Sequence, residues 1–201
     1  MFCVLVFIGL AGAAQAAPNL LVFGDSLSAA YGMPRESGWV TLLERRLQTG
    51  KADYQVINAS VSGETTAGGL TRLPALLAAH KPRLLILALG ANDGLRGLPL
   101  HQTARNLEAM VALAQKSGAK VLLVGMRLPP NYGAAYTSKF QNLFSEVANR
   151  KKIPLVPFLL QDIASQRSNF QADGLHPTAQ AQPLLLETVW SELAVLLNRA
   201  R

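Results

Sequence analysis

The sequence predicts an α/β protein in which one parallel sheet is covered by helices on both faces. Five apolar runs of strand length recur along the chain, and most lack the polar alternation of a strand with one face in water. Strands that are buried on both faces have this pattern. Helical patterns lie between the runs, and five alternations of strand and helix are typical of a parallel sheet between two helical layers.

The predicted elements follow one another in a regular order. The strands are Leu20–Phe23, Tyr54–Asn58, Leu84–Leu89, Lys120–Gly125 and Pro154–Pro157. The helices are Gly38–Gln48, Leu70–His80, Thr103–Ser117, Ala135–Lys151 and Ala179–Asn198. Gly118 is expected to cap the third helix, and the second is expected to stop before Pro82 because a residue that precedes proline avoids helical angles.

Chemically active side chains follow several of these strands. In an open parallel sheet, ligands bind at the carboxyl ends of the strands. After the first strand, Gly24 permits a sharp turn, and Ser26 can expose its hydroxyl while its own N–H points into a cleft. A serine at this point can equally well cap a helix, so the tripeptide Gly24-Asp25-Ser26 leaves two interpretations open.

The loops after the second and third strands offer hydrogen-bond donors. The run from Asn58 to Thr66 consists mostly of small polar residues, and the N–H of Gly63 can approach a ligand closely. Asn92 follows the third strand, and its side-chain amide is suited to stabilise a developing oxyanion. Ordinary turns also have these compositions, so each loop is a weak signal by itself.

Asp173 and His176 place a carboxylate and an imidazole three residues apart near the end of the chain. With Ser26 they supply the oxygen, the base and the orienting acid that make a serine hydroxyl nucleophilic, which indicates a serine hydrolase. Asp173 is expected to matter less than the other two if a backbone carbonyl can orient the imidazole instead. The other histidines, His80 and His101, have no obvious partner.

Other chemistries find little support in the sequence. There is no H-x-x-H or H-E-x-x-H spacing for a metal and no G-x-G-x-x-G after the first strand for a dinucleotide, so we predict neither metal nor cofactor. The G-x-S-x-G elbow of α/β-hydrolases is absent, because Ser28 replaces its second glycine. The net charge is +7, but the cations are scattered, which argues against nucleic acid and leaves weak contact with anionic lipid open.

The first sixteen residues are typical of a secretory signal peptide. An uncharged apolar run precedes an Ala14-Gln15-Ala16 ending, so we expect cleavage after Ala16, a single domain from 17 to 201 and a periplasmic or secreted protein. The run is short for a membrane span, which needs about 20 apolar residues. It contains the only cysteine, Cys3, so the mature chain would have no disulfide and no thiol nucleophile.

The four sequence blocks, in this order, resemble the SGNH or GDSL hydrolase superfamily. Five segments resemble its bacterial periplasmic branch of esterases and thioesterases, and the likeness extends from Leu20 to about Leu197. These segments are Asn58–Ser60, Arg72–Leu76, Asn92–Gly97, Arg127–Gly133 and Pro157-Phe158. Relatives in this branch often carry two glycines before the asparagine, whereas here the second of them is Ala91.

The resemblance implies a flavodoxin-like three-layer α/β/α sandwich with five parallel strands. It implies that Ser26 is the nucleophile, that His176 is the general base and acid, and that Asp173 orients the imidazole. The oxyanion hole would consist of the Ser26 N–H, the Gly63 N–H and the Asn92 side chain. No cofactor is implied, and a monomer is expected by analogy.

The resemblance also implies where an acyl chain binds. A mobile loop that matches Asp93–Leu98 would lie over the acyl site, and the Arg127–Gly133 stretch would form its wall. The residues expected to bind substrate are Asp93, Gly94, Leu95, Leu128 and Pro129. The implied substrates are aryl and alkyl esters, acyl-CoA and lysophospholipids, although export argues against cytosolic acyl-CoA as the natural one.

Two alternative functions remain open at this point. One is a carbohydrate O-acetylesterase of the same superfamily. The other is a non-catalytic acyl- or lipid-binding protein of the cell envelope. The second is disfavoured because a binding protein has no use for a nucleophile, a base and an oxyanion donor together.

Overall fold

The computed structural model describes residues 17–50 and 54–198. The predicted signal peptide and Cys3 lie outside these residues. Five strands form one sheet, in which every pairing is parallel and the order is β2-β1-β3-β4-β5. The strands are β1 (Asn19–Gly24), β2 (Gln55–Asn58), β3 (Leu84–Ala88), β4 (Lys120–Val124) and β5 (Leu155–Val156). The predicted α/β fold with a five-stranded parallel sheet is therefore confirmed.

Six α-helices connect and cover the strands within the described residues. They are α1 (Trp39–Thr49), α2 (Thr66–His80), α3 (Ala91–Leu95), α4 (Leu100–Lys116), α5 (Ala134–Lys151) and α6 (Gln182–Asn198). The third predicted helix ends at Lys116, and Gly118 follows with φ +88°, which suits a glycine cap. Helix α2 ends at His80, as expected from Pro82, and Lys81 adopts a left-handed conformation.

Successive residues of each strand pack into opposite layers, because side chains alternate across a sheet. In β1, Leu20 and Val22 face the layer of α1 and α6, whereas Leu21 and Phe23 face the layer of α2, α4 and α5. Both sets are fully buried, so the strands read as continuous apolar runs. Helices on both faces complete the predicted three-layer sandwich.

Three helices begin three or four residues away from their predicted starts, and a fourth was not predicted. Helix α4 begins three residues early, at Leu100, and α6 begins three residues late, at Gln182, because a 3-10 turn precedes it.

Helix α2 begins at Thr66, four residues earlier than expected. The prediction missed this first turn because it contains two glycines, which are poor helix formers. Close packing of α2 on the sheet requires one of these glycines, since a Cβ on Gly69 would lie 2.5 Å from the Leu89 side chain. Helix α3 occupies a stretch for which the sequence predicted a loop, so the expectation of a loop over Asp93–Leu98 is wrong for Asp93–Leu95.

The strand order creates a crevice at the carboxyl edge of the sheet. The chain leaves β1 toward β2 on one side and enters β3 on the other, so the loops after β1 and β3 diverge at a topological switch point, where ligands bind in such sheets. Ser26 follows β1 and Asn92 follows β3. Within residues 17–50 and 54–198, no helix is long and apolar enough to cross a membrane.

Candidate active site

Ser26 lies in a tight turn directly after β1. The turn is closed by the Asp25 carbonyl, which accepts from the N–H groups of Ser28 and Ala29, while the Asp25 carboxylate accepts from Leu27 N–H at 3.1 Å. No helix begins at Ser26; the next α-helix starts at Trp39. The structure thus excludes the interpretation of Ser26 as a helix cap, and its hydroxyl is available for chemistry.

The structure brings Ser26, His176 and Asp173 into one hydrogen-bonded chain. Ser26 Oγ lies 2.9 Å from His176 Nε2, and His176 Nδ1 lies 2.7 Å from Asp173 Oδ2. With the Nδ1 proton donated to the carboxylate, Nε2 is free to accept the serine proton. This arrangement is the one that activates a serine hydroxyl as a nucleophile.

Backbone N–H groups just after Asp173 in the sequence stabilise its carboxylate as an anion. Its Oδ1 accepts from the N–H groups of His176 at 3.0 Å and Leu175 at 2.9 Å. The His176 backbone N–H, followed by the Leu175 N–H and the His176 side chain, lowers the pKa of Asp173 to about 2. The carboxylate therefore stays charged across the near-neutral range, where it can stabilise an imidazolium.

Replacing Asp173 by alanine is expected to lower kcat severely, but less than loss of the serine or the histidine. In the described residues, the partner of His176 Nδ1 is Asp173 Oδ2 and no backbone carbonyl takes its place. In a comparable triad, removing the orienting carboxylate costs about 10⁴-fold in kcat and removing the serine or histidine about 10⁶-fold. Parallel kinetics of Asp173→Ala and His176→Ala on a p-nitrophenyl ester check this order. Equal losses would contradict it.

Tyr31 and Gln171 join the nucleophile loop to the histidine loop, which the sequence analysis did not foresee. The Tyr31 ring stacks on the His176 ring at a centroid distance of 4.3 Å and an angle of 35°. Gln171 Nε2 donates to the carbonyls of Tyr31 at 2.8 Å and Pro177 at 3.0 Å, and Gln171 N–H donates to His176 O. These contacts hold the histidine loop against the loop that carries the nucleophile. Residues 140 positions apart leave no local pattern that could have revealed them.

The two backbone donors expected in the oxyanion hole are the N–H groups of Ser26 and Gly63. Within the described part of the chain, neither the Ser26 N–H nor the Gly63 N–H has an acceptor. Gly63 lies in an exposed loop with φ +78°, a conformation that favours glycine, and its carbonyl accepts from Arg96. The two N–H groups are thus available for a ligand, as an oxyanion hole requires.

The Asn92 side chain is oriented by two acceptors. Its Nδ2 donates to Glu64 O at 3.0 Å and approaches Asp25 Oδ2 at 3.3 Å. Asp25 is 1% exposed, and desolvation is the main reason that its pKa is raised to about 6. The buried carboxyl thus contacts both the turn that carries the nucleophile and the amide of Asn92.

An apolar cleft opens beside the triad. Its volume is about 670 Å³, and Ser26, Asn92 and His176 line it. Of the residues expected to bind substrate, Leu95, Leu128 and Pro129 line the cleft. The other lining residues include Met126, Phe158, Leu160, Phe170 and Leu175. A cleft with such walls suits a hydrocarbon chain.

Asp93 and Gly94 do not line the cleft, which corrects the sequence prediction. The Asp93 side chain is buried and accepts from Thr66 N–H at 2.9 Å and from the hydroxyls of Thr66 and Thr103. A Cβ on Gly94 would lie 2.5 Å from the Phe140 ring. The reason is helix α3: residues three apart share a helix face, so Asn92 and Leu95 face the cleft and the residues between them face the core.

The fold and this site define a hydrolase that attacks acyl groups with a serine. Comparison with known proteins identifies it more closely. The model of the GDSL-like lipase/acylhydrolase family matches residues 22–183, and the chain belongs to that family. The predicted family is therefore confirmed.

Characterised relatives are similar over nearly their full length. Esterase TesA of Pseudomonas aeruginosa is 52% identical over 182 residues, 90% of each chain. Thioesterase 1/protease 1/lysophospholipase L1 of Escherichia coli is 40% identical over 185 residues, 92% of this chain and 88% of the relative. Among solved structures, the esterase EstA from Pseudoalteromonas sp., inhibited by monoethylphosphonate, is 40% identical with a TM-score of 0.85, over 90% of this chain and 98% of that one.

Proposed function

We propose that the protein is a serine esterase and thioesterase that hydrolyses carboxylic esters and acyl thioesters through an acyl-enzyme on Ser26. One observation carries this proposal: Ser26 Oγ lies 2.9 Å from His176 Nε2 at the wall of an apolar cleft. Membership of an acylhydrolase family and the names of relatives, an esterase and a thioesterase/lysophospholipase, support the reaction class.

The reaction would proceed in two matched halves. Ser26 Oγ attacks the acyl carbon as His176 Nε2 takes its proton, and the carbonyl electrons move to the oxygen, which the N–H groups of Ser26 and Gly63 and the Asn92 amide stabilise. Collapse breaks the bond to the leaving alcohol or thiol, which receives the proton from His176. Water then attacks the acyl-enzyme by the same steps and releases the acid and free Ser26.

The cleft favours substrates with one acyl chain. Its lining is mostly apolar beyond the triad, and its volume of about 670 Å³ falls within the range of small-molecule sites. Long-chain acyl thioesters, lysophospholipids and alkyl or aryl esters share such a chain. A small acetyl group would leave most of these apolar walls in contact with water, so the cleft gives no support to a carbohydrate O-acetylesterase.

A kinetic panel on the purified protein tests the proposed function. The substrates are an acyl-CoA, a lysophospholipid, p-nitrophenyl esters of increasing chain length and an acetylated sugar, with Ser26→Ala as the blank. We expect hydrolysis of the esters and the thioester, with kcat/KM rising as the chain lengthens. Efficient turnover of the acetylated sugar alone, or of nothing in the panel, would contradict the proposal.

We also propose that the chain is exported and that cleavage after Ala16 leaves one hydrolase domain from 17 to 201. The composition of the first sixteen residues supports this. The intact mass of the protein recovered from a periplasmic extract tests the cleavage site. Recovery of the uncleaved chain from the cytoplasm would contradict export.

A further inference from the structure

Four exposed apolar side chains lie on the loops at the carboxyl edge of the sheet. Tyr31, Val61, Tyr132 and Leu175 are 48%, 46%, 37% and 44% exposed, and they follow β1, β2, β4 and β5. They are four of the six large apolar side chains that are exposed in the described part of the chain, the others lying on α6. Isolated exposed apolar residues are ordinary, but their collection at one edge is not. We call these four residues the rim.

Contacts with active-site residues place the rim beside the cleft. Leu175 lines the cleft, and Tyr31 stacks on His176. The Tyr132 hydroxyl donates to the carbonyl of Leu95, another lining residue. The Val61 N–H donates to the carbonyl of Gly24, two residues before the nucleophile.

Three arginines accompany the rim. Arg96 donates to Gly63 O, Arg127 stacks over the Phe158 ring at 5.0 Å, and Arg167 donates to the carbonyls of Phe170 and Ala172. All three arginines are exposed, and none forms an ion pair with a carboxylate within the described residues. By contrast, Arg46, Arg72 and Arg150 each bind a glutamate.

The loops at this edge also carry carboxylates. Glu64 pairs with Arg72, Asp173 is hydrogen-bonded to His176, and Asp162 accepts from the Thr188 hydroxyl of α6. Arg35 and Glu36, farther along the loop after β1, carry opposite charges side by side. The edge that opens the cleft therefore combines exposed apolar side chains with three guanidinium groups that have no carboxylate partner within the described residues. Peripheral contact with an anionic lipid surface uses this combination.

We propose that the rim docks on an anionic lipid surface, with the mouth of the cleft against the bilayer. The apolar side chains enter the interface, and Arg96, Arg127 and Arg167 lie at the level of the lipid phosphates. Each such cation near the surface contributes roughly fivefold to the binding constant, an effect that salt weakens. That an acyl chain passes from the lipid directly into the cleft rests on the proposed function, whereas the docking itself does not.

Vesicle binding by the otherwise intact Ser26→Ala protein tests the docking without consuming the lipid. We expect co-sedimentation with vesicles of phosphatidylcholine mixed with phosphatidylglycerol, much weaker binding to phosphatidylcholine alone, and release by salt. Equal binding to both vesicles, or to neither, would overturn the proposal. A chain that hydrolyses nothing in the substrate panel but binds these vesicles would refute the proposed function and leave the docking intact.

Matched variants locate the docking surface. Val61→Ser and Arg127→Gln, each in the Ser26→Ala background, are expected to weaken binding to the mixed vesicles by roughly fivefold. The controls are Val195→Ser near the end of α6 and Lys116→Gln at the end of α4, just before β4 begins at the opposite edge of the sheet. Controls that weaken binding as much as the rim variants would overturn the proposal. So would gel filtration showing a dimer that Val61→Ser dissociates, since the rim would then bind a second copy.

Discussion

Alanine in place of Ser26 or His176 is expected to abolish ester hydrolysis, with kcat falling by about 10⁴-fold or more. Ser26→Ala removes the atom that forms the acyl-enzyme, and His176→Ala removes the group 2.9 Å away that must take its proton. Neither change opens a large cavity, because Ser26 is small and His176 is only partly buried. Initial rates on a p-nitrophenyl ester, with thermal unfolding to verify the fold, measure the effect.

Covalent labelling separates loss of the nucleophile from loss of binding. A fluorophosphonate should modify the native protein once, at Ser26, and leave both variants unmodified, because only an activated serine reacts. Ser138→Ala and His101→Ala are the matched controls, since both residues are exposed on helices and distant in sequence from the triad. Near-normal turnover by Ser26→Ala, or labelling at another serine, would contradict the assignment.

Asn92→Ala is expected to lower kcat by about 10²–10³-fold while KM changes little. Glu64 O holds one N–H of the amide, so the other, which approaches Asp25 Oδ2 at 3.3 Å, is the one that would donate to the substrate oxygen instead. Charge accumulates on the substrate oxygen in the transition state, so loss of the donor acts on kcat more than on binding. Steady-state kinetics on the ester and on a thioester of the same chain length provide the measurement.

A second variant separates loss of the amide donor from loss of side-chain volume at position 92. Asn92→Asp has nearly the same shape but replaces the donor by a carboxylate, so its loss should equal or exceed that of Asn92→Ala. The variant places a second carboxyl group beside the buried Asp25, so its unfolding midpoint is measured as well. A midpoint close to the native value would show that the fold tolerates the change. A loss below about tenfold in the folded Asn92→Ala protein would mean that the two backbone N–H groups suffice.

The sheet could be predicted from the sequence because strands that are buried on both faces are continuous apolar runs. Strands such as Leu84–Ala88 are apolar at every position, and parallel strands place their carboxyl ends at one edge. From this it followed that Ser26, Asn92 and His176 would meet, and all three line one cleft. The order of neighbouring strands was not predicted, because burial on both faces does not show which strands pair.

Other parts of the site left no comparable trace. Helix α3 has five residues, too few for a periodic pattern, so nothing in the sequence indicated that Asp93 would face Thr66 rather than the cleft. The contacts of Tyr31 and Gln171 depend on the relative position of two loops. Such positions follow from packing of the whole domain and not from local composition.

The Gln171 bridge has a consequence for how activity arises as the chain folds. The nucleophile and the two backbone donors come from the first third of the sequence, but the base lies 150 residues beyond the serine, and Gln171 fastens its loop to Tyr31. Contacts of such high sequence separation form late, after a large loss of chain entropy. A nascent or partly folded chain therefore carries an inert serine, and hydrolysis begins only when folding is complete.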